Sequence, residues 1–129
     1  MNKIILTLSL VIFIFCFSCT KPKDTLSPTI ELISPKENDT LTSEKSEYSI
    51  QFKAKDDIGL SEGFISISDT NGIILSSESR KIYGTVYNYS NTFLYGGTSN
   101  QTKKLMITIK IDDEAHNTTY KTIPFYIKL

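Results

Sequence analysis

Hydrophobic and polar residues alternate along most of the chain beyond its first twenty residues. Tyr48, Ile50, Phe52 and Ala54 alternate with Ser49, Gln51, Lys53 and Lys55. Leu105, Ile107, Ile109 and Ile111 alternate with Met106, Thr108 and Lys110, and Ile123, Phe125, Ile127 and Leu129 with Pro124, Tyr126 and Lys128. A period of two puts successive side chains on opposite faces, so each run reads as a strand with one buried and one wet face. Asn71-Gly72, between Phe64–Ser68 and Ile73–Leu75, is a strong hairpin signal because both residues accept positive φ. The pattern predicts strands at 29–33, 47–55, 62–69, 72–78, 81–95 (with a bulge near Asn88), 103–111 and 118–128. Turn signals every ten or so residues then argue for an all-β fold, an antiparallel β-sandwich of about seven strands. Pro28 and Pro35 bracket the first strand and keep that edge short. Pro124 restricts the last strand to an edge, or to a position whose N–H would point outward.

The first eighteen residues differ. Met1-Asn2-Lys3 is a short positive start, and Ile4–Phe17 is apolar except for Thr7 and Ser9. That stretch suits a secretory signal and falls short of the roughly 20 apolar residues a spanning helix needs. Ser18 then Cys19 directly after it resembles the bacterial lipoprotein signal, in the looser form found in the Bacteroidetes group. Cys16 and Phe17 depart from the tighter motif. The resemblance implies cleavage before Cys19, lipid on its thiol and acylation of its new amine. An ordinary signal peptide or an uncleaved anchor are the alternatives. Cysteine usage favours the lipoprotein: Cys16 leaves with residues 1–18, Cys19 is consumed by lipid, and no thiol remains. Several acyl chains, at roughly 0.8 kcal/mol per buried methylene, hold a small domain on a membrane. Residues 19–27 are then the lipidated Cys and a tether of solvated composition, and 28–129 the domain.

From Cys19 onward thirteen basic and fourteen acidic residues nearly cancel. With no basic stripe, nucleic acid is not an expected partner. About 100 residues suffice for a core without a disulfide.

"AKDDIGL" (Ala54–Leu60), "IDDEAHNTTYKTIPFYI" (Ile111–Ile127) and the opening Pro28-Thr29-Ile30 to Pro35 together resemble bacterial extracellular immunoglobulin-like domains of the fibronectin type III or cadherin-like kind. The resemblance covers 28–129 and is nearest to single-domain lipoproteins whose domain has no assigned function. His116 stands where the pattern has Gly at positive φ, so the single histidine is expected in a turn rather than as a metal ligand or base.

Strand order places the loops carrying Asp56-Asp57 and Asp112-Asp113-Glu114 at one end, beside the N-terminus, with Glu62 near. Clustered carboxylates suit calcium; the resemblance to cadherin-like domains implies the same, although half of an inter-repeat site would be missing. Turn capping by Asp is the simpler reading. A glycosidase pair needs a cleft that loop tips rarely make. Tyr83, Tyr87 and Tyr89 share one parity, so they either pack against the core or present rings to a glycan or protein. "DTL" occurs at 24–26 and 39–41, and the resemblance implies Thr25 and Thr40 as O-glycan acceptors. The four Asn-x-Ser/Thr sites (Asn38, Asn88, Asn100, Asn117) matter only in a eukaryotic host.

With one His and no thiol after Cys19, no nucleophile–base arrangement is persuasive, and an enzyme is not expected. The sequence points to a lipid-anchored cell-envelope protein, outer membrane rather than inner. It would act by docking on an envelope protein; a glycan-binding or adhesion module is the alternative, and a passive spacer a third.

Overall fold

The computed structural model describes residues 23–42, 46–96 and 101–128. Cys19 and Leu129 lie outside them. Eight strands form: β1 (Thr29–Ser34), β2 (Thr40–Thr42), β3 (Glu47–Lys55), β4 (Leu60–Asp69), β5 (Ile74–Lys81), β6 (Val86–Leu94), β7 (Thr102–Asp113) and β8 (Thr118–Lys128). No helix occurs among the described residues. The strands make two sheets, in the orders β1-β3-β6 and β2-β8-β7-β4-β5. The three-stranded sheet has the A-B-E order of an immunoglobulin-like sandwich, and β5-β4-β7-β8 has the order C′-C-F-G.

The alternating runs form the facing sides. Tyr48, Ile50, Phe52 and Ala54 of β3 meet Leu105, Ile107, Ile109 and Ile111 of β7 and Ile123, Phe125 and Ile127 of β8 in one buried cluster. The Tyr48 hydroxyl crosses the sandwich and donates to the Lys128 carbonyl at 3.2 Å. Here the period-two reading holds residue by residue.

Elsewhere the structure differs from the expectation. The pattern missed β2, whose three residues pair parallel with Tyr126–Lys128. Pro35, buried and preceded by a cis peptide bond, stands where the chain leaves one sheet for the other. Three residues are too few to show a period. The expected strand 81–95 is shorter: Lys81 ends β5, 82–85 link the strands, and β6 pairs through Asn88 without interruption. Ile82 turns inward and is buried over Gly63, where an added Cβ would stand 2.7 Å from its Cδ1. Gly84 then takes φ +86, and its carbonyl accepts from Leu60 N. The β4–β5 turn begins at Asp69, whose Oδ1 accepts from Asn71 N and Ile73 N. Only Gly72 in it has positive φ. Pro124 occupies the position the sequence allowed: its carbonyl accepts from Asn38 N. Because N and C=O of one strand residue face the same way, its missing N–H points away from β7.

Candidate functional site

Parity decides which loop carboxylates turn inward. Asp56 continues the buried series of β3, and Asp113 that of β7. Asp113 is the buried charged residue of the described core, fully inaccessible. Both face the end of the sandwich, where Asp24 joins them, and one oxygen from each lies within 4.8 Å of the others. Each carboxylate first serves its own loop. Asp56 Oδ2 accepts from Ile58 N (3.0 Å) and Gly59 N (2.8 Å). Asp24 Oδ1 accepts from Leu26 N, and Asp113 Oδ1 from Asn117 N. This is the turn chemistry expected of Asp. Of the second oxygens, Asp113 Oδ2 accepts from Asn117 Nδ2, whereas Asp24 Oδ2 and Asp56 Oδ1 are buried with no hydrogen-bond partner.

Asp57 and Asp112, grouped with Asp56 and Asp113 from the sequence, are outside this cluster. Asp57 is exposed. Asp112 has the opposite parity and lies on the outer face of the five-stranded sheet, paired with Lys110 and accepting from Thr118 Oγ1. Burial pushes its carboxyl up, but the Lys110 and Thr118 hydrogen bonds and the Lys110 charge outweigh this and hold it below its usual range. Glu62 also faces out, accepting from Ser79 Oγ. The sequence missed Asp24, read as tether. Asp24 and Leu26 carbonyls accept from Asn117 Nδ2, so this stretch lies against the domain. His116 has φ 68, in a turn as expected, and is exposed outside the cluster.

The three tyrosines do not share a surface. Tyr89 is core: its ring stacks on Phe52 at 4.8 Å, and its hydroxyl donates to Glu78 Oε2. Tyr87 meets Phe52 edge-on at 6.1 Å and is half-buried. Tyr83 falls in the 82–85 link, 81% exposed. It borders a groove of about 580 Å³ with Glu62, Lys110, Asp112, Glu114 and His116. Thr25 is exposed, and Thr40 is exposed on β2 rather than in a loop.

Glu78 bridges the two sheets at their open side. Burial pushes its carboxyl up; hydrogen bonds from Tyr89, Arg80 and Asn91, with the Arg80 charge, prevail and hold it below the usual range. A carboxyl depressed by folding stabilises the fold above its unfolded pKa, and that contribution is lost as pH falls through the lower folded value. Thermal unfolding from pH 6 to pH 3 is therefore expected to show a modest acid loss, reduced in Glu78→Gln.

No protein-family model matches the chain, and no curated protein matches it in sequence. Among solved structures, an engineered protein matches over 80% of this chain and 20% of its own, at TM-score 0.56 and 14% identity. Wild-type OgpA from Akkermansia muciniphila matches over 85% of this chain and 30% of its own, at TM-score 0.52 and 14% identity. The chain thus spans under a third of either protein, and at these identities the likeness shows the fold alone. The CARDB domain of the PF1109 protein from Pyrococcus furiosus matches over 84% of this chain and 99% of its own, at 16% identity. Its TM-score of 0.46 is too low to bear on function. The class is an immunoglobulin-like β-sandwich domain.

Proposed function

We propose that the protein is a non-catalytic accessory domain, held at the cell envelope by lipid on Cys19, that docks on an envelope protein through the open side of its sandwich. The observation that carries this is β6. It ends the three-stranded sheet, where an A-B-E-D arrangement would have a fourth strand. Val86–Leu94 contains no charged residue and no Pro, the usual devices that blunt a free edge. The other long edge, β5, lies on the same side, tied through Glu78 to Tyr89 and Asn91. Its start exposes Ile73, Ile74 and Leu75 by 61%, 61% and 38%. An extended segment of a partner gains main-chain hydrogen bonds by adding to such an edge.

The test uses the backbone direction. Thr85 O and Tyr95 N bond toward the chain flanking β3, so odd-numbered groups of β6 face β3 and even-numbered ones face outward. Thr92 N, turned out, bonds to Asn91 Oδ1. Ser90→Pro therefore removes an outward N–H and spares the β3 ladder. Cross-linking and pull-down of the full-length protein from its own membranes is expected to yield a partner at near-equal amount. The yield should fall at least tenfold in Ser90→Pro, with thermal unfolding nearly unchanged. Cys19→Ser is expected to move the protein out of the membrane fraction. Undiminished recovery with Ser90→Pro would remove the β6 reading.

A second reading rests on the groove beside Tyr83. An exposed ring beside carboxylates and an imidazole is chemistry that suits a sugar ring. Binding to a glycan array, lost in Tyr83→Ala and competed by free sugar, would favour it over docking.

A further inference from the structure

We infer that Asp24, Asp56 and Asp113 form a calcium site that clamps the segment preceding β1 onto the end of the sandwich. The end has more acceptors than donors. The amide of Asn117 has two protons, and three oxygens surround its nitrogen: Asp113 Oδ2 at 2.7 Å, Leu26 O at 3.1 Å and Asp24 O at 3.4 Å. Asp24 Oδ2 and Asp56 Oδ1 add two more buried oxygens with no donor at all. A buried carboxylate oxygen without a partner is costly, and three like charges this close repel. The ion pairs Arg80–Glu78 and Lys110–Asp112 do not serve these three. A divalent cation answers both deficits at once.

The donor set is all oxygen, which selects a hard cation. Two oxygens on one Ca²⁺, at 2.3–2.6 Å each, stand at most about 4.6–5.2 Å apart; Mg²⁺ allows about 4.0–4.2 Å. Ligand atoms lying within 4.8 Å of one another are within the span that the larger ion bridges. Water completes the shell. Asp56 follows β3 and Asp113 ends β7, whereas Asp24 lies five residues beyond Cys19. One ion thus joins the chain entering the domain to the adjoining ends of β3 and β7, and sets the direction in which the domain leaves whatever precedes it.

Calorimetric titration of the full-length protein in detergent with Ca²⁺ alone should give one site. Saturating Ca²⁺ should raise the melting temperature by roughly 5–20 °C over EDTA. It should also slow hydrogen exchange at the amides of residues 24–27. Asp24→Asn and Asp56→Asn should lose at least tenfold in affinity and most of the shift, while Asp57→Asn keeps both. Asp24 precedes the first strand and lies outside the core, so this variant tests the site even where changes at Asp113 unfold the domain. No calcium-dependent shift in the wild-type protein, or a shift that persists in Asp24→Asn, would overturn the inference. An equal shift with Mg²⁺ alone would overturn its assignment to calcium.

Discussion

Phe125→Ala is expected to destabilise the domain by about 3–5 kcal/mol, the range for deleting a buried aromatic ring. Domains of this kind are stable by only about 5–15 kcal/mol in total, so the variant should sit near its unfolding threshold at 37 °C. Phe125 is fully buried in the middle of β8, between the inward Ile123 and Ile127 and opposite Leu105 of β7. The buried cluster it belongs to is mostly isoleucines. Their branched side chains are held near one rotamer, so the walls of the cavity have little freedom to close over it. Phe125→Leu keeps most of the volume and should cost far less. Urea unfolding followed by circular dichroism measures both. A lower midpoint with an unchanged slope is expected; a change in slope would mean that the native or denatured ensemble had altered instead. If Phe125→Ala lost under 1 kcal/mol, the two sheets would not be packed through this residue.

Asp113→Ala, measured in EDTA so that no divalent ion contributes, is expected to cost about 3 kcal/mol. For a domain of about 100 residues this lowers the melting point by roughly 12–24 °C. The carboxylate is wholly inaccessible and holds the β7–β8 turn by accepting from both Asn117 N and Asn117 Nδ2. Truncation leaves the Asn117 N–H without its acceptor and takes from the Asn117 amide the nearest of its three. It also loosens Asn117 from the carbonyls of Asp24 and Leu26. Asp57→Ala, one loop away and exposed, should leave the melting point where it is. The contrast matters because the two aspartates look alike in sequence. Equal effects from the two variants would show that position in the loop, and not the buried hydrogen bonds, governs stability here.

The division between sequence and structure follows from the range of the interactions involved. Strand identity was legible because the period-two pattern is local: each inward residue of β3, β7 and β8 announces itself by its neighbours. The same parity marks Asp56 and Asp113 as inward and Asp57 and Asp112 as outward, since the carboxylates continue the runs from Tyr48 and Leu105. Reading the acidic pairs as units of loop concealed this. The turn at His116 was legible because a positive φ has few residue types to choose from.

What only the tertiary structure decided are the contacts between segments distant in the chain. The β2 pairing joins Leu41 to Ile127, and nothing in three residues encodes such a partner. The break at Ile82–Thr85 depends on Ile82 finding the space over Gly63. Tyr89 belongs to the core, and Tyr83 does not, because the chain turns between them. Asp24 meets Asp113 across 89 positions of sequence because Asn117 draws in the carbonyls of Asp24 and Leu26. Local pattern sets which face of a strand is buried; which strands and loops share that buried space is set by the closure of the sandwich.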